Sequence, residues 1–416
     1  MSTQRVPLMS LDDALAQLLA HAAVLQHAEH VSTFDADGRV LAQDVVSDLQ
    51  VPPHDNSSMD GYALRCADVV RLGAVLTVSQ RIAAGSSGAA LLQGTAARIF
   101  TGAPIPAGAD AVVMQEDCVA IGSTHDPKLV HEIQVNTLPK PGQWIRRAGE
   151  DVTRGAVVLS KGDRLTPACL GLAASVGMNR LQVARQPRVA LFSTGDELVM
   201  PGDVAPADMR PGAIYNSNRF FLRALLLRLG CTVTDFGIVP DRLDATLNAL
   251  RAASAEHDVI LTSGGVSVGE EDHIKPAVQA LGELNLWQIA IKPGKPFAYG
   301  KVGAAHFMGL PGNPVSSFIT FLVLVRPFLL KLQGASDVVA KAVAMPAHFN
   351  WPKADKRSEF LRVRRNAKGG LDLFPNQSSG VLTSAVWGDG VVDNPPGRSI
   401  AQGDVVQFIA FSDMLS

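Results

Sequence analysis

The segment from Thr262 to Lys275, TSGGVSVGEEDHIK, carries residue types that can hold a phosphate group beside a metal ion. Backbone amides freed by glycine, together with hydroxyls, can donate hydrogen bonds to an anion. These donors are Ser263, Gly264, Gly265 and Ser267. Three carboxylates follow at Glu270, Glu271 and Asp272. Acids beside an anion cradle are explained if a divalent cation bridges carboxylate to phosphate. A tight turn from a strand into a helix would explain the glycines without any ligand.

A second segment, Ile291 to Phe297, has the sequence IKPGKPF and contains Lys292 and Lys295. Each lysine precedes a proline, so the segment cannot be helical and its backbone is restricted. Two rigid lysines at the end of a strand suit the binding of phosphate or another oxyanion. A solvated loop is the alternative interpretation.

Two further segments also follow short apolar runs. In MGLPGNPVSS, Met308 to Ser317, a turn at Pro311 leads to Asn313 as a helix N-cap and Pro314 as the first helical residue. The positive end of such a helix attracts anions. The segment STGDEL, which begins at Ser193, instead supplies two acids, Asp196 and Glu197. The local requirements of helix starts would also account for both segments.

Short apolar strands alternate with helices through residues 185–333, which predicts an α/β domain with a mostly parallel sheet covered on both faces. The expected strands are Arg188–Ser193, Thr232–Ile238, Asp258–Thr262, Leu286–Ile291 and His306–Leu310. The expected helices are Ser217–Leu229, Leu243–Ala255, Lys275–Leu281 and one that begins near Pro314. Ligands of such sheets bind at the carboxyl ends of the strands. The four segments are therefore predicted to converge on one edge, forming a cationic pocket lined with carboxylates.

A chain of 416 residues is too long for one compact core. Its composition and sequence patterns divide it into four parts. Residues 1–50 together with 146–184 are predicted to form a mixed linking domain, with a helix that starts after Ser10. Residues 51–145 are predicted to form a β-rich inserted domain. Residues 185–333 form the α/β domain, and residues 334–416 a small β-barrel.

Charge and cysteine content narrow the class of protein. A net charge of -2 argues against a nucleic-acid binder. The four cysteines are widely spaced, without metal-ligand spacing, so we expect reduced thiols in a reducing compartment.

The N-terminus lacks the pattern of a signal peptide. The most apolar segment, Val315 to Leu332, is interrupted by Arg326 and Pro327, so it is predicted to be a buried core helix. A soluble, cytoplasmic protein is expected.

Three more segments are polar and rich in turns, and composition alone assigns them no function. They are PPHDNSSMDGYA from Pro52, RIFTGAPIPAGADAV from Arg98 and RRAGEDV from Arg146. Taken with the segments above, they resemble the MoeA family of molybdopterin molybdenumtransferases, to which the C-terminal domain of gephyrin belongs. Seven motifs occur in the order found in that family: PPHDNSSMDGYA, RIFTGAPIPAGADAVVMQE, RRAGEDV, STGDEL, TSGGVSVGEEDHIK, IKPGKPF and GLPGNPVSS.

The resemblance implies a four-part, elongated homodimer whose active site lies between the α/β domain of one subunit and the N-terminal loops of the other. It implies the reaction of adenylyl-molybdopterin with molybdate, which yields molybdenum-molybdopterin and AMP and requires Mg²⁺. Contacts with the molybdopterin adenylyltransferase and with enzymes that receive the cofactor are also expected. No contact with nucleic acid or membrane is expected.

The motifs assign candidate residues to this site. The catalytic candidates are Asp60, Thr101, Asp151, Glu197, Asp241 and Asp272. The candidates for binding substrate are Ser263, Gly264, Gly265, Ser267, Lys292, Lys295, Pro311 and Asn313. The candidates for binding the metal are Glu197, Asp241 and Asp272.

The resulting hypothesis is electrostatic. Lys292, Lys295 and the amides of residues 264–267 would supply the positive field for molybdate and the phosphoanhydride. The acids would hold Mg²⁺ against the anhydride or accept hydrogen bonds from the pterin, and Asp60 of the partner subunit would position water or a metal ion. Two alternatives stay open, an adenylyltransferase that acts on molybdopterin with ATP and a non-enzymatic scaffold. The long additions on both sides of the α/β domain favour the molybdenumtransferase, and the lack of a second catalytic domain or long disordered linker disfavours the scaffold.

Overall fold

The computed structural model describes residues 8–122, 131–265 and 273–415. The chain divides into two compact units. The first, here called the α/β unit, contains the residues up to Gln43 and the ranges Lys161–Thr166 and Leu181–Ser416. The second, here called the inserted unit, contains Asp44–Ser160 and Pro167–Arg180.

A six-stranded sheet forms the centre of the α/β unit. Its strands, in spatial order, are Thr232–Val239, Arg188–Thr194, Val259–Ser263, Ala305–Leu310, Pro296–Val302 and Gly282–Gln288. The first four are parallel, and the last two are antiparallel to their neighbours. All five residues of Val259–Ser263 are buried. Burial on both faces explains why the central strands have continuous apolar sequences, and the predicted mostly parallel sheet is confirmed.

The antiparallel part of this sheet differs from the prediction. Strand Pro296–Val302 was not predicted, because the prolines before it suggested a loop. It forms a hairpin with Ala305–Leu310 through a two-residue turn, in which Gly303 has a φ of +59°. The predicted strand Leu286–Ile291 is divided. Its first part lies in the edge strand Gly282–Gln288, and Ile291–Lys292 belongs to a different sheet.

Helices cover this sheet close to the predicted positions, which confirms all four of them. Their bounds are Ser217–Arg228, Leu243–Glu256, Ile274–Leu281 and Pro314–Thr320, the last continuing through the π-helical turn Phe321–Val325 into Arg326–Leu332. Another helix, Leu11–Ala20, begins as predicted at Ser10, whose hydroxyl accepts a hydrogen bond from the Asp13 amide. It buries Ala14 and Leu18 in the same core.

Pro314–Leu332 is long and apolar enough to cross a membrane, but 89% of its most apolar window is buried inside the protein. Its apolar side chains belong to the largest core cluster. Arg326 is buried as well, and its guanidinium donates hydrogen bonds to the carbonyl oxygens of Val338 and Asp413. This helix therefore packs as the core helix that the sequence predicted.

The C-terminal part of the α/β unit contains a second six-stranded sheet. Its strands, in spatial order, are Ile291–Lys292, Ser358–Arg365, Gly390–Asn394, Val405–Ala410 and Val343–Pro346, with Leu371–Leu373 paired to Ser358–Arg365. Two short helices, Thr383–Trp387 and Phe411–Leu415, accompany it. Residues after 334 were expected to be entirely β. The structure also contains these two helices. Its sheet includes Ile291–Lys292, a strand that precedes residue 334.

The inserted unit is built on a third six-stranded sheet. Its strands, in spatial order, are Ala111–Met114, Gly61–Leu64, Thr95–Ile99, Ala74–Ile82, Glu132–Val135 and Cys118–Ile121. The unit also contains the helix Pro167–Ser175 and two small strand pairs, Val45–Val46 with Val157–Leu159 and Asn56–Ser57 with Ile145–Arg146. Two other small strand pairs lie in the α/β unit, apart from Arg180. They are Ala28–Ser32 with Arg180–Ala184 and Leu198–Val199 with Ile214–Tyr215.

His306 gives the α/β unit a dependence on pH. The Tyr299 hydroxyl lies 2.9 Å from His306 Nδ1, and the imidazole packs edge-on against Phe328. Burial, with smaller contributions from Lys301 and His21, lowers the pKa of His306 to about 4. The unfolded chain therefore binds a proton near pH 6.5 that the folded protein excludes. The contribution of neutral His306 to the stability of the folded protein is fully present above pH 6.5 and is lost as the pH falls towards 4.

We expect His306→Asn to remove this dependence, because asparagine does not titrate in this range. Wild-type protein should lose on the order of 2 kcal/mol more stability than the variant between pH 6.5 and 4. Thermal unfolding across this pH range measures the difference, and His54→Asn, which removes an exposed histidine, is the matched control. Parallel pH profiles for wild type and His306→Asn would show that His306 titrates normally in the folded protein.

Candidate functional site

A pocket of about 540 Å³ lies at the carboxyl ends of the four parallel strands. Each strand delivers part of its wall within two residues after its end. The walls from the four strands are, in chain order, Gly195 with Glu197, Asp241, Gly264 with Gly265, and Pro311 with Gly312 and Asn313. The predicted convergence of these loops on one edge of the sheet is therefore present. Of the predicted substrate-binding residues, Ser263, Gly264, Gly265, Pro311 and Asn313 line the pocket.

Gly264 and Gly265 turn the chain sharply at the floor of this pocket. Their φ angles are +95° and +69°, in the left-handed region that favours glycine. A Cβ on Gly264 would lie 2.7 Å from the carbonyl oxygen of Thr194, and one on Gly265 would lie 2.5 Å from a side-chain carbon of Ile274. Both positions therefore require glycine, and the backbone stays open to a ligand.

Asn218 connects the loops that form the pocket. Its side-chain amide nitrogen donates to the Ser263 hydroxyl and to the Gly312 carbonyl oxygen, both at 2.7 Å. These bonds use both amide protons, so the orientation of the side chain is fixed. Its oxygen is left in the buried wall without a partner among the described residues.

Other polar atoms in this wall also lack partners within the described ranges. They are Thr194 Oγ1 and Asn216 Nδ2, with Ser193 Oγ, Thr262 Oγ1 and Ser317 Oγ close by in sequence. Asn216 uses its oxygen to cap the helix that starts at Ser217, accepting from the Arg219 amide at 3.2 Å. Asn313, predicted to cap the helix at Pro314, makes no such side-chain bond. Buried donors and acceptors are normally paired, so these atoms prepare the pocket for a polar ligand.

Two acids, Glu197 and Asp241, line the pocket. The Asp241 amide lies 3.4 Å from the Asp196 carboxylate. The predicted residues Asp272 and Ser267 lie outside the described residues. Within the described ranges, no group of three or more metal-binding side chains occurs. The metal site predicted from Glu197, Asp241 and Asp272 therefore stays a prediction, of which the structure shows two carboxylates in one pocket.

Lys292 and Lys295 are not among the residues that line this pocket, although Pro296 is. The expectation that these lysines act in one site with Gly264 and Glu197 therefore stays a prediction. Lys292 lies in the short strand that pairs with Ser358–Glu359, and its ammonium contacts Glu359 at 3.0 Å and Asp355 at 3.4 Å. Lys295 is exposed.

In the inserted unit, the three polar segments of unassigned function pack against one another. Strand Asn56–Ser57 pairs with Ile145–Arg146, and Arg147 forms an ion pair with Asp55 at 2.6 Å. Asp60 accepts hydrogen bonds from the amide and the hydroxyl of Thr101, both at 2.8 Å. Asp151 lies in the same unit, and its amide donates to the Val51 carbonyl oxygen at 3.0 Å. Asp60 and Thr101 therefore form one polar group.

Comparison with protein families matches three successive parts of the chain. Residues 9–177 match the MoeA N-terminal region, domains I and II, and residues 344–411 match the MoeA C-terminal region, domain IV. Between them, residues 190–331 match a probable molybdopterin-binding domain. This chain belongs to the MoeA family.

Relatives in the family match over most of its length. A molybdopterin molybdenumtransferase of Haemophilus influenzae is 42% identical over 361 residues, which cover 85% of each chain. One of Synechococcus elongatus is 36% identical over 390 residues, covering 91% of this chain and 93% of the relative. The crystal structure of a molybdopterin biosynthesis moeA protein from Pyrococcus horikoshii OT3 has a TM-score of 0.83 at 28% identity, covering 97% of this chain and all of that one.

Arg362 is a residue of this MoeA chain that the sequence did not single out. It lies in strand Ser358–Arg365 and is 1% exposed, and its guanidinium donates to the Ser384 hydroxyl and the carbonyl oxygens of Phe360 and Ser378. Burial lowers the pKa of Arg362 to about 10. The acceptors of these hydrogen bonds among the described residues are all neutral, so the buried charge favours a nearby anion. Residues 359–363 of this strand are all buried, so both of its faces are covered there.

The pair formed by Asp60 and Thr101 gives a local prediction. The backbone amide and then the hydroxyl of Thr101 lower the pKa of Asp60. Thr101→Val removes the hydroxyl and keeps the amide and the side-chain shape, so the pKa of Asp60 should rise part of the way to its ordinary value. Titration of the Asp60 carboxyl carbon by NMR measures this change, and Thr101→Ser should keep the wild-type pKa. An unchanged titration in Thr101→Val would mean that the hydroxyl does not bond to Asp60 in solution.

Proposed function

We propose that this chain is a molybdopterin molybdenumtransferase, which converts adenylyl-molybdopterin and molybdate into molybdenum-molybdopterin and AMP. The observation that carries this proposal is the pocket at the carboxyl edge of the parallel strands. It lies in the part of the chain that matches a probable molybdopterin-binding domain. The relatives named as molybdopterin molybdenumtransferases match across the flanking regions as well. Those regions favour this reaction over adenylylation by a single α/β domain.

The pocket suits a polar heterocycle that carries phosphate. Its volume of about 540 Å³ lies within the range of small-molecule sites. Among the described residues, Asn216 offers an unpaired donor and Asn218 an unpaired acceptor, as an amide-like ring edge requires. The amides of Gly264 and Gly265 can approach an anionic group closely, because glycine carries no side chain.

We infer that Glu197 and Asp241, with Asp272, hold Mg²⁺ beside the phosphoanhydride. Carboxylate oxygens are the ligands that Mg²⁺ prefers, and two of these acids face the same pocket. Bound Mg²⁺ would polarise the anhydride that is cleaved. The acids would orient the substrate, and Lys292 and Lys295 would supply positive charge to molybdate.

Substitution of the pocket acids tests this function. With adenylyl-molybdopterin, molybdate and Mg²⁺, we expect Glu197→Gln and Asp241→Asn each to slow AMP release by about 10²-fold or more. Chelation of the metal should stop the reaction, and Mg²⁺ should restore it. Glu256→Gln, at the exposed end of helix Leu243–Glu256, is the matched control and should keep full activity.

Wild-type rates in both pocket variants would contradict the assignment of the site. Accumulation of adenylyl-molybdopterin from ATP and molybdopterin would favour the adenylyltransferase instead.

We further infer that the active protein is a homodimer whose site combines Glu197 and Asp241 of one subunit with Asp60, Thr101 and Asp151 of the partner subunit. This proposal rests on the family resemblance and on the occurrence of these residues in two separate units of the chain. The cytoplasm is the proposed compartment, which is supported by the four cysteines, all of them described residues that form no disulfide. The adenylyltransferase that supplies the substrate and the enzymes that receive the product are the proposed partners.

Mixing two inactive variants tests the shared site. Asp60→Asn and Glu197→Gln should each be inactive alone, whereas exchange of subunits creates one intact site in each mixed dimer. About a quarter of wild-type activity should then return after random exchange. Light scattering should give the mass of a dimer. A dimeric mixture that stays inactive after demonstrated exchange would place the whole site within one subunit.

A further inference from the structure

Glu359 of the C-terminal sheet contacts the ammonium group of Lys292. The strand Ile291–Lys292 runs parallel to the start of Ser358–Arg365, with Lys292 in register with Glu359. Side chains in register on neighbouring strands meet on the same face. Lys292 Nζ lies 3.0 Å from Glu359 Oε1, which makes this a direct ion pair.

Two further hydrogen bonds fix the carboxylate of Glu359. Its other oxygen accepts from the indole nitrogen of Trp351 at 2.7 Å and from the side-chain amide of Asn394 at 3.4 Å. Glu359 is 1% exposed. Three donors around one buried carboxylate leave it a single orientation, and low solvent access strengthens each contact. The acid is therefore a fixed anchor for the lysine.

A second acid and an aromatic ring complete the surroundings of Lys292. Asp355 lies 3.4 Å from its ammonium, and Arg357 holds that carboxylate with two hydrogen bonds of 2.9 Å. The ring of Trp351 lies 5.8 Å from the ammonium. The side chain of Lys292 is still 39% exposed, so the ammonium can contact a ligand while it is held.

The loop that carries Lys292 is also packed rigidly towards the pocket. Gly294 has a φ of +117°, and a Cβ there would lie 2.4 Å from the hydroxyl oxygen of Thr320 and 3.5 Å from the carbonyl oxygen of Ser316. Ser316 and Pro296 both line the pocket. The loop is therefore fixed at the C-terminal sheet through Glu359 and at the pocket wall through Gly294.

We propose that Glu359 is a positioning residue of the transferase reaction, which acts by holding the Lys292 ammonium where molybdate or the phosphoanhydride binds. This inference rests on the proposed function of Lys292 and gives the C-terminal sheet a part in the reaction. Glu359 itself contacts no substrate. Its removal should therefore matter only while Lys292 is present.

A double-mutant cycle measures this dependence. Glu359→Gln leaves one acceptor oxygen for three donors. We therefore expect kcat/KM for adenylyl-molybdopterin to fall, or the apparent KM for molybdate to rise, by about tenfold or more. Glu359→Asp keeps the charge and should recover part of the loss. In a Lys292→Gln background, Glu359→Gln should change the remaining rate by less than about twofold.

Asp389→Asn is the matched control, because it removes a partly exposed ion pair with Arg365 in the same sheet. It should keep wild-type kinetics. Full activity of Glu359→Gln would overturn the proposal, as would increased activity, which would mean that Glu359 sequesters the lysine. An equal loss in the Lys292→Gln background, or in Asp389→Asn, would assign Glu359 a general structural role.

An NMR measurement separates this inference from the proposed function. Reductive ¹³C-methylation of the folded protein gives each lysine a methyl resonance, and Lys292→Arg assigns the one from residue 292. We expect that resonance to be displaced from the exposed lysines in wild-type protein and to move to their position in Glu359→Gln. If wild-type protein does not turn over adenylyl-molybdopterin, the function fails, whereas an undisplaced resonance contradicts the anchoring itself.

Discussion

The site depends on one constraint, which is that parallel strands end at the same edge of their sheet. Each crossover helix returns the chain to the opposite edge, so the residue after every strand arrives beside the residues after its neighbours. Four strands whose ends extend from Thr194 to Leu310 therefore build one pocket. Asn218 then holds two of these loops together through Ser263 and Gly312. The sheet places the four loops approximately, and the hydrogen bonds of Asn218 fix the geometry of two of them.

Much of this could be predicted because the determining signals are local. The apolar run of Val259–Ser263 can only be a buried strand, and the glycines that follow can only be a close turn. Ser10 predicted its helix correctly for the same reason, because a cap and its helix are adjacent in sequence.

The errors came from contacts between distant residues. Ile291–Lys292 is a strand only because Ser358–Glu359 lies beside it, 67 residues away at Lys292 and Glu359. Nothing near IKPGKPF indicates that pairing, because the partner strand lies far along the chain. Pro296–Val302 was missed because Pro296 disfavours a strand, although a proline at the first position of a strand is tolerated. Arg362 was missed because its surroundings include residues distant in sequence, such as Ser384, whose hydroxyl accepts a hydrogen bond from its guanidinium.

The unpaired polar atoms and the ion pairs of Lys292 are two solutions to the same physical problem. A site for anions must keep donors and positive charge available, yet buried groups without partners reduce stability. In the pocket, Thr194, Asn216 and Asn218 have buried polar atoms without partners in the described part of the chain, and these atoms belong to neutral groups. A buried unpaired ammonium would cost far more, and Lys292 is instead paired with carboxylates and left partly exposed. The pocket wall therefore combines small neutral polar groups with the carboxylates of Glu197 and Asp241, and the positive charge of Lys292 lies at the C-terminal sheet, where acids hold it.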